Sequence, residues 1–332
     1  MTTTLRWGIL STAKIGREHV VPALQSLANC EVVAVGSRDR ARAEAFGADL
    51  GIERIHGSYE DLLADPEVDA IYNPLPNHLH APLTLEAARA GKHVLSEKPF
   101  TMDLAEAEQL RDDLAALDTG AVVMEAFMYQ FHPQWEAVLA MVRDGRIGRV
   151  TAVQTWFSYY GDDPANIRHN PEWGGGALMD IGCYAIHSAR RIFGAEPTRV
   201  RGTVEIHPTF RVDVTASGLL DFPDGQCTFT VATQSDPDQR VHIVGDRGRI
   251  EVTRPFNAQA DRPMVVRVGA GFGESYGEPL ETLTFGPADQ YAVMADRFTT
   301  AVLAGEPAPV SVEDAVANMA VIDEIFRTAE RS

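Results

Sequence analysis

Between Leu5 and Glu125, short apolar runs alternate with stretches of helical spacing, and this alternation limits the fold more than any other feature of the chain. The runs Leu5 to Leu10, Glu31 to Gly36, Arg54 to His56, Val68 to Asn73, His93 to Leu95 and Ala121 to Glu125 read as buried strands. Helices are expected over 14–27, 40–50, 58–64, 78–90 and 104–117. Strands separated by single helices cannot pair as hairpins, so they call for a parallel, doubly wound sheet. After about Gly148 the pattern changes. A long β run, Val150 to Tyr160, is followed by a glycine-rich opening and a helix over 177–193. Seven further strand patterns lie between Thr198 and Phe285, separated by turn signals such as Pro223-Asp224-Gly225. They predict a large, mostly antiparallel sheet. Helices over 289–304 and 312–329 close the chain, with apolar spacing suited to packing back on the first domain. The fold class expected is therefore α/β: a Rossmann-type domain over 1–125 and an α+β domain over 126–332.

Composition excludes several partners. Net charge is -18 over 332 residues, which argues against nucleic acid or an anionic membrane as the main partner. No apolar run reaches the length of a membrane span. The three cysteines, Cys30, Cys183 and Cys227, show no C-x-x-C spacing and give no disulfide framework. A reduced, cytoplasmic setting is expected, and Met1 to Arg6 carries no signal-peptide pattern.

The first strand runs into Ser11-Thr12-Ala13-Lys14-Ile15-Gly16, an altered G-x-G-x-x-G turn in which Ser and Ala stand for the first two glycines. Both are small, so the backbone can approach a pyrophosphate, and the helix N-terminal N–H groups can hold it. At the end of the second strand an NAD site wants an acid. This chain has Ser37-Arg38 there, with Arg40 and Arg42 beyond. A hydroxyl and a guanidinium suit a 2′-phosphate, so NADP is expected over NAD. Asp39 reads as a helix N-cap, and Arg40 as a solvated helix position.

The loop Asn73-Pro74-Leu75-Pro76-Asn77-His78-Leu79-His80 is stiffened by two prolines and supplies Asn73, Pro74, Leu75, Asn77 and His80 as candidate cofactor contacts. No carboxylate or cysteine is spaced to complete a metal site with its histidines, so no metal is expected. The next strand ends in Glu97-Lys98-Pro99. Taken alone, that tripeptide reads as a surface ion pair. A lysine at the carboxyl end of a strand in an open α/β sheet, however, sits where such folds bind ligands. Some eighty residues on, Asp180 and Tyr184 stand four apart on an otherwise apolar helix and share a face. His187 and Cys183 read as structural.

Three features together resemble the glucose–fructose oxidoreductase/inositol dehydrogenase (Gfo/Idh/MocA) family: the N-terminal turn, Glu97-Lys98-Pro99, and Asp180-x-Gly182-x-Tyr184. Within it, Glu125 to Pro133 and Asn166-Ile167-Arg168 to Gly176 are similar to the branch of NADP-dependent D-xylose dehydrogenases, dihydrodiol dehydrogenases and aldose oxidoreductases. The resemblance implies an open-faced C-terminal sheet that commonly forms a homodimer interface. It also implies Tyr184 as the proton-transfer group. An ammonium from Lys98 would favour its phenolate, whose ordinary pKa is about 10. Lys98 would also stabilise charge on the reacting oxygen, and Asp180 would orient substrate or lysine. Glu97 is a further cofactor-side candidate. Phe157, Tyr159, Tyr160, Arg168 and Trp173 suit a sugar or cyclic diol, with core packing an equal reading for each alone. Three functions stay open: a sugar dehydrogenase, either with exchanging cofactor or as an aldose–aldose oxidoreductase that keeps it bound; a trans-diol dehydrogenase; and a non-catalytic NADP-binding regulator.

Overall fold

A computed structural model describes residues 4–270 and 281–331. It shows two compact units, Met1–Met128 with Tyr291–Val316, and Tyr129–Gln290 with Ala317–Ser332.

In the first unit, β1 (Leu5–Leu10), α1 (Val21–Gln25), β2 (Cys30–Gly36), α2 (Arg40–Leu50), β3 (Arg54–His56), α3 (Tyr59–Leu63), β4 (Ala70–Asn73), α4 (His80–Arg89), β5 (His93–Ser96), α5 (Leu104–Ala115) and β6 (Val123–Glu125) follow in order. Their sheet runs β3-β2-β1-β4-β5-β6, parallel throughout among the described residues. The strand order reverses between β1 and β4. In such a sheet, ligands bind beyond the carboxyl ends of the strands at that point. α2 and α3 start where expected because Asp39 accepts from the Arg42 N–H and Ser58 from the Asp61 N–H.

In the second unit come α6 (Pro133–Arg143), β7 (Val150–Tyr160), α7 (Cys183–Phe193), β8 (Arg199–Ile206), β9 (Asp213–Phe222), β10 (Gly225–Ala232), β11 (Gln234–Gly245), β12 (Gly248–Val252), β13 (Met264–Ala270) and β14 (Glu281–Phe285). Two helices and a short strand follow: α8 (Gln290–Ala304), α9 (Val312–Thr328) and β15 (Glu330–Arg331). The strand expected from Leu280 begins at Glu281; Leu280 itself lies outside the described residues. α6 stands in a stretch to which the strand and helix patterns assign no element. His132 caps it from the Gln134 N–H, and Pro133 occupies its first turn.

The second sheet runs β14-β13-β12-β11-β7-β10-β9-β8-β15 among the described residues, antiparallel except where β7 pairs β10 and β8 pairs β15. Its register makes the two faces chemically different. Val200, Leu220, Cys227, Val153, Ile243, Ile250 and Val268 form one continuous row across seven strands, all buried. One residue along, the row on the other face is Arg201, Leu219, Thr228, Gln154, His242, Glu251 and Arg267, none of them buried. A slip of one residue in any strand would exchange the two, so the burial pattern fixes the register.

α8 belongs with the first unit from Tyr291 onward, as its contacts there explain. Phe298 packs on Trp7 at 5.6 Å, Thr299 meets the Cys30 thiol at 3.2 Å, and Asp296 accepts from the Asn29 amide at 2.8 Å.

Candidate active site

The first unit holds the cofactor-side candidates. Ser11 leaves β1 at φ 69°, the left-handed region that the first glycine of a dinucleotide turn serves. Its N–H donates to the Gly36 carbonyl at 2.7 Å, and its hydroxyl accepts from the Ala13 N–H at 3.3 Å. Thr12, Ala13 and Ile15 are half-buried and Lys14 is exposed. The helix that opens at Lys14 passes through a π segment, Gly16–Val20, whose start has no side-chain cap. The Ala13 N–H is held by the Ser11 hydroxyl, and among the described residues the N–H groups of Lys14 to Gly16 meet no carboxylate or hydroxyl.

At the end of β2, Ser37 is buried and its hydroxyl accepts from the Asp39 N–H at 3.2 Å. The Arg38 guanidinium is exposed and lies 5.9 Å from the centre of the Tyr59 ring. Asp39 is committed to the α2 cap and to an ion pair with Arg42 at 3.3 Å. Arg42 thus already has an anionic neighbour. This donor set fits a nucleotide with a 2′-phosphate: a hydroxyl, a shelved guanidinium, and an acid turned to another task.

The proline loop turns two of its candidate side chains inward. The Asn73 side chain is fully buried, donates to the His80 carbonyl and the Thr84 hydroxyl, and accepts from the Leu75 N–H. His80 is 1% exposed and both ring nitrogens meet carbonyl oxygens. Both side chains spend their hydrogen bonds inside the first unit, Asn73 on its own loop and α4, His80 between that loop and the one after β5. Pro74 and the Leu75 side chain are buried too, while Asn77 remains half-exposed. Glu97 accepts from the buried Tyr72 hydroxyl at 2.8 Å. Lys98 is half-exposed, and the Lys98–Pro99 peptide is cis.

The second unit holds the substrate-side candidates. Asp180 lies in a π segment, Leu178–Gly182, that leads into α7. Such segments are frequent at functional sites. Its Oδ2 accepts from the Tyr159 hydroxyl and from Nε of Arg168, both at 2.8 Å. Asp180 is the first cause that raises the Arg168 pKa above its ordinary value, with Tyr159 and Tyr184 contributing. Burial and the same carboxylate raise that of Tyr159. Asp180 is thus bound by a guanidinium and a phenol of its own unit.

Tyr184 is 5% exposed and rests against Tyr129, Phe157 and Phe256, with ring centres 5.4–5.8 Å away. Phe157 is itself 4% exposed and stacks on Phe256 at 5.1 Å. It packs edge-on against the Tyr184 ring and supports it. Tyr160 and Trp173 are exposed, as is Arg168 between them. His187 is fully buried and its Nδ1 lies 2.6 Å from the Tyr129 hydroxyl.

One supporting residue carries no signal in the sequence. Asp213, at the start of β9, accepts from the Leu178 N–H at 2.7 Å and caps the helix that carries Asp180 and Tyr184. Gly176 makes the approach possible, since a Cβ there would lie 2.1 Å from Asp213 Oδ1. Burial raises the Asp213 pKa from 3.8 to about 6, with backbone N–H groups acting against the rise. No cluster of three or more metal-ligating side chains occurs among the described residues.

Comparison with known proteins bears on both units. A family model described as "Oxidoreductase family, NAD-binding Rossmann fold" matches residues 5–127, and one for the "GFO/IDH/MocA C-terminal domain" matches 135–251. The chain is 38% identical to the D-xylose 1-dehydrogenase (NADP(+)) 2 of Haloferax volcanii, over 98% of each chain. It is 34% identical to the trans-1,2-dihydrobenzene-1,2-diol dehydrogenase of Mus musculus, over 75% of each. Among solved structures, the 3-ketoreductase KijD10 of Actinomadura kijaniata, in complex with NADP and TDP-benzene, superposes with a TM-score of 0.90 at 31% identity. That match covers 99% of this chain and 98% of the other.

Proposed function

We propose that this chain, which belongs to the Gfo/Idh/MocA oxidoreductase family, transfers hydride between NADP and a carbinol of a sugar, an aldose oxidised at C1. The observation that carries the NADP reading is the end of β2, where Ser37 and the exposed Arg38 stand and the nearby acid is spent on a helix cap. The full-length relative whose name includes NADP supports it.

The residues divide the work. Ser11 to Ile15 receive the pyrophosphate at an uncapped helix start, and Arg38 the 2′-phosphate. Bound there, the nicotinamide supplies hydride transfer; the protein supplies position and charge. Tyr184 takes the carbinol proton in oxidation and returns it in reduction. Lys98 stabilises the developing alkoxide. Arg168, held charged by Asp180, favours the Tyr184 phenolate and offers its remaining N–H groups to substrate oxygens. Exposed Tyr160 and Trp173 give a sugar ring an apolar surface to rest on. The protein works in the cytoplasm, as a homodimer assembled through the open face of the C-terminal sheet.

A second reading, oxidation of a cyclic trans-diol, draws on the mouse relative and on the same exposed aromatics. Absorbance at the NADPH band, with purified protein, NADP or NAD and a panel of aldoses and trans-diols, separates them. Turnover of aldoses with NADP is the expected outcome. Turnover of diols alone selects the second reading, and none with either panel removes both.

A further inference from the structure

One ring holds together the loops that follow β4 and β5. His80 opens α4, is 1% exposed, and places Nδ1 2.7 Å from the Pro99 carbonyl and Nε2 2.6 Å from the Leu75 carbonyl. Both partners are carbonyl oxygens and have no proton to give. A neutral imidazole has a single N–H. In that form one of the two contacts would set a ring lone pair against a carbonyl lone pair well inside hydrogen-bond distance. The doubly protonated ring donates to both.

The surrounding atoms close the same bracket. Asn73 donates to the backbone carbonyl of His80 itself and accepts from the Leu75 N–H. The Glu97 N–H donates to the Asn73 carbonyl at 3.0 Å. Burial, with the charges of Lys98 and His78, draws the ring pKa below its ordinary value, and the two carbonyls pull the other way; the charged ring rests on the geometry, an acceptor-only oxygen within 2.7 Å of each nitrogen. A carbonyl at each nitrogen gives the cation two charge-assisted hydrogen bonds, and the neutral ring one bond and one repulsion.

We propose that His80 is a buried imidazolium and a positioning residue: it clasps the Leu75 and Pro99 carbonyls and, through Pro99, fixes the backbone that carries Lys98. The positioning role rests on the reading of Lys98 as a residue of the reaction; the proton on the ring does not.

The decisive measurement is long-range ¹H–¹⁵N NMR of the histidine rings in the full chain at pH 7, with the His80 signals assigned by their loss in His80→Gln. Two protonated ring nitrogens are expected. A bare, pyridine-like nitrogen overturns the proposal. In a folded His80→Gln variant, kcat should fall by about 10- to 100-fold from misplacement alone, with KM nearly unchanged. NADPH affinity, read from the fluorescence of the bound cofactor, should change by less than about threefold, since His80 has no free nitrogen for it. An unchanged kcat overturns the positioning role. If His80→Gln does not fold, the wild-type spectrum decides the matter, its rings being assigned by substitution of the other histidines. If no sugar or diol is turned over by the wild type, the proposed reaction fails while the spectrum still tests the imidazolium.

Discussion

Among the described residues two helices begin after a positive-φ residue, Ser11 and Gly176, and each passes early through a π segment. The two beginnings are otherwise opposite. At the first, Ser11 holds only the Ala13 N–H, and among the described residues no side chain takes the N–H groups of Lys14 to Gly16, so they and the partial positive charge are left for an anion. The second is closed by the buried carboxylate of Asp213, which takes the Leu178 N–H. One start is therefore suited to a phosphate. The other already contains its anion and instead holds Asp180 and Tyr184 steady. The same local chemistry suits binding in one unit and gives support in the other, and the deciding residue is 35 positions away along the chain.

The largest effect is expected from the helix whose start is closed. Tyr184→Phe should lower turnover by about 10²- to 10⁴-fold, the usual contribution of a positioned acid–base group. Cofactor affinity, measured by fluorescence titration, should stay near wild type. Near-normal turnover would leave that helix a purely structural element.

Asp213 then tests the closure itself. Its folded pKa of about 6 lies above the ordinary 3.8, so the folded chain holds this proton more tightly than the unfolded chain. Its contribution is fully present below pH 4 and is lost as pH rises through 6. The difference, about 2 pKa units, corresponds to roughly 3 kcal/mol. Urea unfolding at pH 4.5 and at pH 7 should show that slope in the wild type, and Asp213→Asn should flatten it. An equal slope in both proteins would show that Asp213 does not titrate as its burial implies.

Removing the guanidinium at the end of β2 comes next. Arg38→Ala should weaken NADPH by about 10- to 100-fold, the worth of a charge-assisted hydrogen bond, and leave NADH almost unaffected. Parallel titrations with the two nucleotides check it, and equal losses would detach Arg38 from the 2′-phosphate. The smallest effect is at Ser11. Glycine tolerates φ 69° without strain, so Ser11→Gly should relieve about 1 kcal/mol, offset by the lost hydroxyl contact to Ala13 and by backbone entropy. Thermal melting would show a shift of a few degrees at most.

Much of the fold was legible in the sequence because it is periodic. The strand–helix alternation of the first unit, and the alternating burial that makes Val153, Thr155 and Phe157 one face of β7, are local properties of the chain. α6 escaped because it follows directly on the fully buried stretch 123–132, where neither period stands out and no helix start is marked. Candidate residues were legible by type and by position at strand ends: Ser11, Arg38, Lys98, Asp180 and Tyr184 all lie on the turns and helix that the pattern indicates.

What each of these side chains touches was not written locally. The sequence by itself determined a parallel sheet with the candidates Ser11 and Lys98 at the carboxyl ends of its strands, a second sheet with one apolar face, and a polar pair on an apolar helix. The tertiary structure alone decided that Asn73 turns its amide onto its own loop, that His80 joins that loop to the one after β5, that Phe157 supports Tyr184, and that Asp180 holds Arg168 and Tyr159. It alone brought Asp213 to the helix start. The physical reason is the range of the forces. Hydrophobic periodicity is read within a few neighbouring residues, whereas a buried polar atom must find a partner wherever the fold delivers one, at any distance along the chain.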